Sequence, residues 1–351
     1  MTSPPAAHGC RRRPERSAVA GRAAIAAGVG LGALLVLALP VSAAAHPLGD
    51  AATPTDLGSI LGLWSLEPLP AIGMVVSTAL YAWLAWLVGR AHPSHPWPRR
   101  RTARWLAAMA TIALALFSPI DALSDDLGSV HMVQHMLLLM VAPPLMAASA
   151  PATLLLRAST RAERERWILP VLHSRALAVL TFPVVGWVAF AGVLWATHYS
   201  PVYDLALRDP TVHVLEHLAY LVAASLFWWP VASPDPLRWR MPAPARLLYV
   251  LLQMPQMSFL SVSILSAPRL LYEAYQGRTS VYGLDALADQ ANSAAIMWVV
   301  GDMMFIGAML FIVAGWMREQ EAEERRVDAR LDRLGRPGRP PRAAVADRAE
   351  E

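Results

Sequence analysis

Residues 131–146 read HMVQHMLLLMVAPPLM. From Met136 onward the stretch carries no charge and is apolar enough for the hydrocarbon of a bilayer, yet it opens on two histidines four positions apart. On a helix, residues four apart lie ~40° apart around the axis and about one turn apart in height, so His131 and His135 share a face. Ionisable side chains are costly at the head of a membrane helix, and those that persist there mark functional sites.

Working outward, the 351-residue chain is 56% apolar. It contains several uncharged windows of about 18 residues or more, the length that spans a ~30 Å hydrocarbon layer. The expected fold class is all-α: a polytopic membrane helix bundle with seven transmembrane helices at about 71–89, 103–120, 130–149, 177–196, 212–231, 246–265 and 291–316, following an N-terminal signal peptide. All 30 basic residues are arginine, and they gather in alternate loops. Arg99, Arg100 and Arg101 follow the first span, Arg157, Arg161 and Arg164 the third, and Arg238 and Arg240 the fifth. The positive-inside rule then places the mature N-terminus outside the cell membrane and the C-terminus in the cytoplasm. Orientation accounts for the arginines, so they give no reason to expect nucleic acid.

The expected domain organisation starts with a signal peptide over 1–45. Arg11, Arg12 and Arg13 supply its basic region, Ala23 to Leu39 its apolar run, and Ala43-Ala44-Ala45 an A-x-A cleavage site. Cleavage there would remove Cys10, the single cysteine, and leave a mature chain without thiolate ligands. Residues 46–70 form an extracytoplasmic segment, 71–316 the seven-span domain, and 317–351 a charged cytoplasmic tail. Acids and arginines at helical spacing from Arg318 to Arg333 extend the last span as a solvated helix; the Pro- and Arg-rich remainder reads as disordered.

The histidine pair recurs. Ser118-Pro119 precedes His131 and His135, and Ser200-Pro201 precedes His213 and His217, with an offset of 82 residues at every matched position. Gln134 and Glu216 occupy equivalent places between the histidines, and Asp121 and Asp204 follow the two Ser-Pro steps. This reads as a tandem helix-hairpin repeat, with Asp289-Gln290 near the matching point of a weaker third copy. His198, at the outer end of span four, falls at the same depth as both pairs.

A single histidine at a helix end is ordinarily a solvated or capping group. Two HxxxH pairs and a fifth histidine at one level point instead to a metal held by His131, His135, His198, His213 and His217. Gln134 and Glu216 are expected to orient the imidazoles or balance the cation's charge, Glu216 the more strongly because a carboxylate raises imidazole basicity. Imidazole suits zinc, copper, iron and nickel; a thiolate-free outer site with methionines nearby leans to copper. A mature chain beginning His46-Pro47 would add a further copper chelate from its amine and imidazole, unless the terminus is simply mobile. His92, His95 and His173 read as loop residues. Met132, Met136 and Met140 form a stripe turned away from the histidine face and read as packing; Met254 and Met257, beside Pro255, are better placed to line a cavity. Asp302 lies well inside the last span, as a hydrogen-bond anchor or an ion-path residue.

These motifs resemble the CtaG-like membrane proteins linked to assembly of caa-type cytochrome c oxidase. The resemblance rests on WSLEP at 64–68, SPID at 118–121, HMVQHMLL and APPLM within 131–146, WATHYSPVYD at 195–204, HVLEHLAYL at 213–221, LFWWP at 226–230, and Asp289-Gln290 with IMW at 296–298. It covers about residues 60–316 and implies seven spans, copper handling in oxidase biogenesis, and oxidase subunits or copper-transfer proteins as partners. The residues alone leave two other classes open. One is a b-type haem electron carrier with one axial histidine from each pair. The other is a seven-span zinc hydrolase using Asp121 or Glu216 as general base.

Overall fold

The computed structural model describes residues 57–333, apart from residue 237. The proposed signal peptide, His46 and the end of the tail lie outside these residues. Among the described residues the chain is helical, with no strand. The principal helices are α1 (Pro68–Ala91), α2 (Arg99–Phe117), α3 (Pro119–Ser124), α4 (Gly128–Met136), α5 (Ala142–Ala148), α6 (Pro151–Ala158), α7 (Pro183–His198), α8 (Val202–Ala206), α9 (Pro210–Ala232), α10 (Ala243–Leu265) and α11 (Ala286–Arg333). Among the described residues, five stretches are long and apolar enough to cross a membrane: α1, the run Gly128–Ala158, α9, α10 and α11. The chain is thus a multi-pass membrane protein by length and composition.

The two other expected spans are helical but depart from that standard. Arginines occupy the first turns of α2. The span expected at 177–196 is broken: a short helix, Arg175–Leu180, stops at Thr181, and α7 starts afresh at Pro183. Proline has no N–H to continue the ladder and forces the preceding residue out of the helical region, so the chain bends there. The 16 residues of α7 reach only about 24 Å at 1.5 Å per residue.

Proline also shapes the segment that carries the first histidine pair. Between α4 and α5 the chain widens to a π-helix over Leu137–Val141. Pro143 and Pro144 have no N–H to give to the carbonyls one turn back, so the Leu139 carbonyl has no α- or π-type partner. The Trp228 indole of α9 takes it at 2.9 Å. A break in the helix thereby becomes a bond between the two histidine-bearing helices.

Two apolar clusters hold the bundle. One joins α4, α7, α9, α10 and α11 through Met136, Phe190, Phe227, Met257 and Phe305. The other joins α1, α2, α5 and α6 through Tyr81, Trp105, Ile112, Ala142 and Leu154. In a bilayer, such contacts hold by close packing rather than by exclusion of water, which favours small residues at crossings. Gly186 permits the closest approach of α7 to α9: a Cβ there would meet the Leu226 carbonyl oxygen at 2.5 Å. Gly301 does the same for α10 and α11, where a Cβ would meet Met257 Sδ at 2.2 Å. Met257 therefore fills a notch and does not line a cavity. Met132, Met136 and Met140 pack in the core as their spacing predicts. Asp302 accepts a hydrogen bond from Ser258 Oγ at 3.0 Å, tying α11 to α10.

Two helix N-termini are capped by aspartates from far along the chain. Asp289, in the first turn of α11, accepts from the Gly128 N–H at 2.7 Å and from Ser129 at the start of α4. Asp235, after α9, accepts from the Thr153 N–H at 2.7 Å and from its hydroxyl at 2.6 Å at the start of α6. Each carboxylate meets unpaired N–H groups and the positive end of a helix dipole. The helix α11 continues unbroken to Arg333, so the charged sequence after the apolar span is helical as expected.

Candidate metal centre

The histidines sit where the pattern of prolines and caps puts them. Ser118 is the N-cap of α3 and accepts from the Ile120 N–H; Ser200, just before the Pro201 N-cap of α8, accepts from the Val202 N–H. Each Ser-Pro step thus opens a short helix that turns the chain into a histidine-bearing one, α4 or α9. His131 and His135 lie in the first turns of α4, His213 and His217 in those of α9, and His198 ends α7.

All five converge. Ring centroids are 4.2 Å apart for His131–His135, 4.2 Å for His213–His217, 5.1 Å for His131–His213, 5.6 Å for His135–His217 and 6.4 Å for His135–His198. The structure thus brings together every metal-site residue expected from the sequence except His46, which lies outside the described residues. The centre is more enclosed than its place at the helix heads implied. His131 and His135 have no exposed surface, and only His213 is half-buried. The cover is the connection between α10 and α11, whose Tyr272 and Tyr275 are both buried over the cluster.

That connection also fixes imidazole protons. The Tyr275 hydroxyl donates to the Ser124 carbonyl at 3.0 Å and lies 2.8 Å from His131 Nδ1. A phenol has one proton to give, and burial pushes the Tyr275 phenol far above its ordinary value, so it keeps that proton. His131 must then donate from Nδ1, which leaves Nε2 as a bare lone pair. His198 is set the same way: Nδ1 lies 2.9 Å from the Leu194 carbonyl, an obligate acceptor, and Nε2 is left free.

The free atoms are the most informative feature. Nε2 of His131, His135, His198, His213 and His217, together with Glu216 Oε2, are buried without a hydrogen-bond partner. Each such group left unpaired costs about 1–3 kcal/mol, and a cluster of them is a set of donors arranged for something to bind. His131, His135 and His217 each offer a ligand atom within 4.8 Å of the others, and so do His131, His213 and Glu216. That donor set fits a transition-metal ion such as copper or zinc.

The two flanking polar residues part company. Glu216 faces the histidines, with Oε2 4.0 Å from His135 Nε2 and Oε1 accepting from the Tyr220 hydroxyl at 3.2 Å. Gln134 does not orient the imidazoles as expected. Its amide donates to the Ala115 carbonyl at 2.9 Å and to Asp121 Oδ1 at 2.7 Å, tying α4 to α2 and α3. Gln134 and Glu216 have the same angular position relative to their histidine pairs, so it is the neighbouring helices, α2 and α3 for Gln134, that decide which way each side chain turns. The sequence reading missed four tyrosines. Tyr203 stacks 5.3 Å from His131, Tyr220 lies 4.6 Å from His135, and Tyr272 and Tyr275 form the lid. Tyr220 follows Glu216 by one helical turn and was findable; the lid tyrosines lie in an aperiodic loop.

The sequence matches proteins and a family already described. The chain is 27% identical over 288 residues to an uncharacterised protein of Mycobacterium bovis, covering 80% of this chain and 42% of that protein. A Mycobacterium tuberculosis protein matches equally, and one from Mycobacterium leprae is 25% identical over 288 residues, covering 80% of this chain and 43% of its own length. The chain therefore spans less than half the length of the curated relatives it matches. No solved structure matches. Residues 79–319, well over half the chain and holding all five clustered histidines, match the family described as cytochrome c oxidase caa3 assembly factor (Caa3_CtaG). The chain belongs to the cytochrome c oxidase caa3 assembly factor family.

Proposed function

We propose that this protein handles copper for cytochrome c oxidase assembly, receiving the ion as cargo in the histidine cluster at the outer face of the cell membrane and passing it toward oxidase subunits or copper-transfer proteins. The observation that carries the reading is the set of unpartnered imidazole nitrogens and one carboxylate oxygen, buried together beneath a tyrosine lid. Family membership supplies the oxidase context. In this reading the chain crosses the bilayer seven times, with α2 and the bent segment before α7 completing the count. A cleaved signal peptide exposes His46 as a second chelate, and the arginine-rich loops face the cytoplasm. The two histidine hairpins descend from a duplication, which the short helices α3 and α8 after matching Ser-Pro steps support, each with a serine hydroxyl accepting from the N–H two residues on. A haem between α4 and α9 fits poorly, because it would have to part rings whose centroids stand 5.1 and 5.6 Å apart.

The test is the double substitution His131→Ala with His213→Ala. Copper content of the purified protein and oxidase activity of the membranes are expected to fall together, with activity partly restored by added copper. His92→Ala and His173→Ala are the controls. Wild-type copper content and oxidase activity in the double variant would overturn the copper reading.

A further inference from the structure

The donors of the cluster fall into two groups of three that share a member: His131, His135 and His217 in one, His131, His213 and Glu216 in the other. His131 has one nitrogen to offer, since Nδ1 is engaged with the Tyr275 hydroxyl. Two ions cannot therefore each hold three donors at once. The groups also differ in burial and donor type. The three-imidazole group is wholly buried, whereas the second includes half-buried His213 in the first turn of α9 and a carboxyl donor, Glu216. The Glu216 carboxylate stands between them, with Oε2 free and 4.0 Å from His135 Nε2.

Resting on the copper reading above, we infer that the two groups are successive positions of a single ion, received by His131, His213 and Glu216 and then moved inward to His131, His135 and His217. His131 stays bound throughout, while His213 and Glu216 are exchanged for His135 and His217. Only metal–donor bonds form and break; no electron is transferred, and any proton on Glu216 leaves as the cation arrives. The carboxylate suits the outer position, because an oxygen anion attracts an ion that still carries water. The three imidazoles suit the inner one, where softer nitrogen donors hold a dehydrated copper ion. Glu216 is thus a receiving ligand and not a group that merely steers a neighbouring imidazole.

The experiment uses the full chain in lipid nanodiscs and Cu(I) supplied as its coloured bicinchoninate complex, following uptake by loss of colour and retention by transfer to a stronger chelator. The wild type is expected to take up a single copper per chain. Glu216→Gln is expected to slow both uptake and loss to the chelator about tenfold, on the scale by which metal-site partners act, because the ion passes the receiving position in each direction. His213→Ala should do the same, which separates a ligand effect from loss of the Tyr220 contact. His135→Ala should keep fast uptake and lose copper to the chelator about tenfold faster. Copper binding in which Glu216→Gln and His135→Ala change uptake and retention alike, or two coppers per wild-type chain, would overturn the two-position order alone. A wild type that takes up neither Cu(I) nor, supplied separately, Cu(II) would overturn the copper reading and this inference with it.

Discussion

Two hydrogen bonds, His131 Nδ1 with the Tyr275 hydroxyl and His198 Nδ1 with the Leu194 carbonyl, decide which imidazole nitrogens are left free. Without the Tyr275 oxygen, His131 would be free to rotate or to take the other tautomer, and the shared donor of the cluster would be lost. Tyr275→Phe is therefore expected to weaken copper binding about tenfold with little change in fold, measurable by chelator competition and circular dichroism. A second residue-scale consequence concerns Asp121, between α2 and α4. Burial pushes its carboxyl up to about 7, with the Gln134 hydrogen bond acting in the opposite direction. A carboxyl whose folded value is raised favours the folded state while protonated. That contribution is complete at pH below its ordinary carboxylate value and is lost as pH rises through about 7. Thermal unfolding in detergent should therefore show lower stability at pH 8 than at pH 5.5, and Asp121→Asn, which keeps an acceptor for Gln134, should flatten that slope. An unchanged slope in the variant would show that other groups set it. At this scale the histidines were legible because i, i+4 spacing fixes a shared face. Gln134 was not, because adjacency in sequence says nothing about which neighbouring helix a side chain meets.

Helix breaks in this protein are bonded features. The π-segment Leu137–Val141 exists because two prolines withdraw their N–H groups, and Trp228 closes the gap from α9. Trp228→Phe keeps most of the ring volume but leaves the Leu139 carbonyl unpaired, so it should cost about 1–3 kcal/mol and loosen the register between the histidine helices. Reversible unfolding in mixed micelles checks the magnitude. The aspartate caps carry a contrast of the same kind. Asp235→Ala and Asp289→Ala each strip a helix N-terminus of its acceptor, worth about 0.5–2 kcal/mol, but only the Asp289 change sits at the head of α4. Both should lower the unfolding temperature, and only Asp289→Ala should also lower copper content. The sequence announced helices wherever charge was absent, but it hid the bend before α7. An apolar window is blind to Pro183, which alters backbone geometry without altering oiliness. The caps were hidden for a different reason: Asp289 meets Gly128 across 161 residues, a separation no local pattern reports.

For the molecule as a whole, the histidine cluster and its lid lie at one end of the bundle and the arginine-rich loops at the other. Exposed Ser280 is in the lid, and exposed Arg161 is in the loop after the third expected span. In a chain lacking Cys10, a cysteine at Ser280 should react with an impermeant thiol reagent in intact cells, and one at Arg161 only after lysis. The reverse result would place the cluster in the cytoplasm and remove outer-face copper capture from the reading. The bundle was legible from hydropathy because a bilayer demands long apolar helices, whereas the lid, which turns a surface cluster into an enclosed one, follows from tertiary contacts alone.

The tyrosine lid and the Asp289 cap also impose a sequence of events in time. A ribosome that has completed His217 has already made every residue of the five-histidine cluster, but Tyr275 and Asp289 are still to be translated. Until α11 enters the bilayer, His131 lacks the hydroxyl that sets its tautomer and α4 lacks the carboxylate at its head. On the copper reading, a nascent chain is therefore expected to bind metal more weakly than the finished protein, and full affinity comes with the last helix. On the same reading, half-made copies would hold the ion more weakly than the finished protein, because the finishing pieces of the site come last in synthesis.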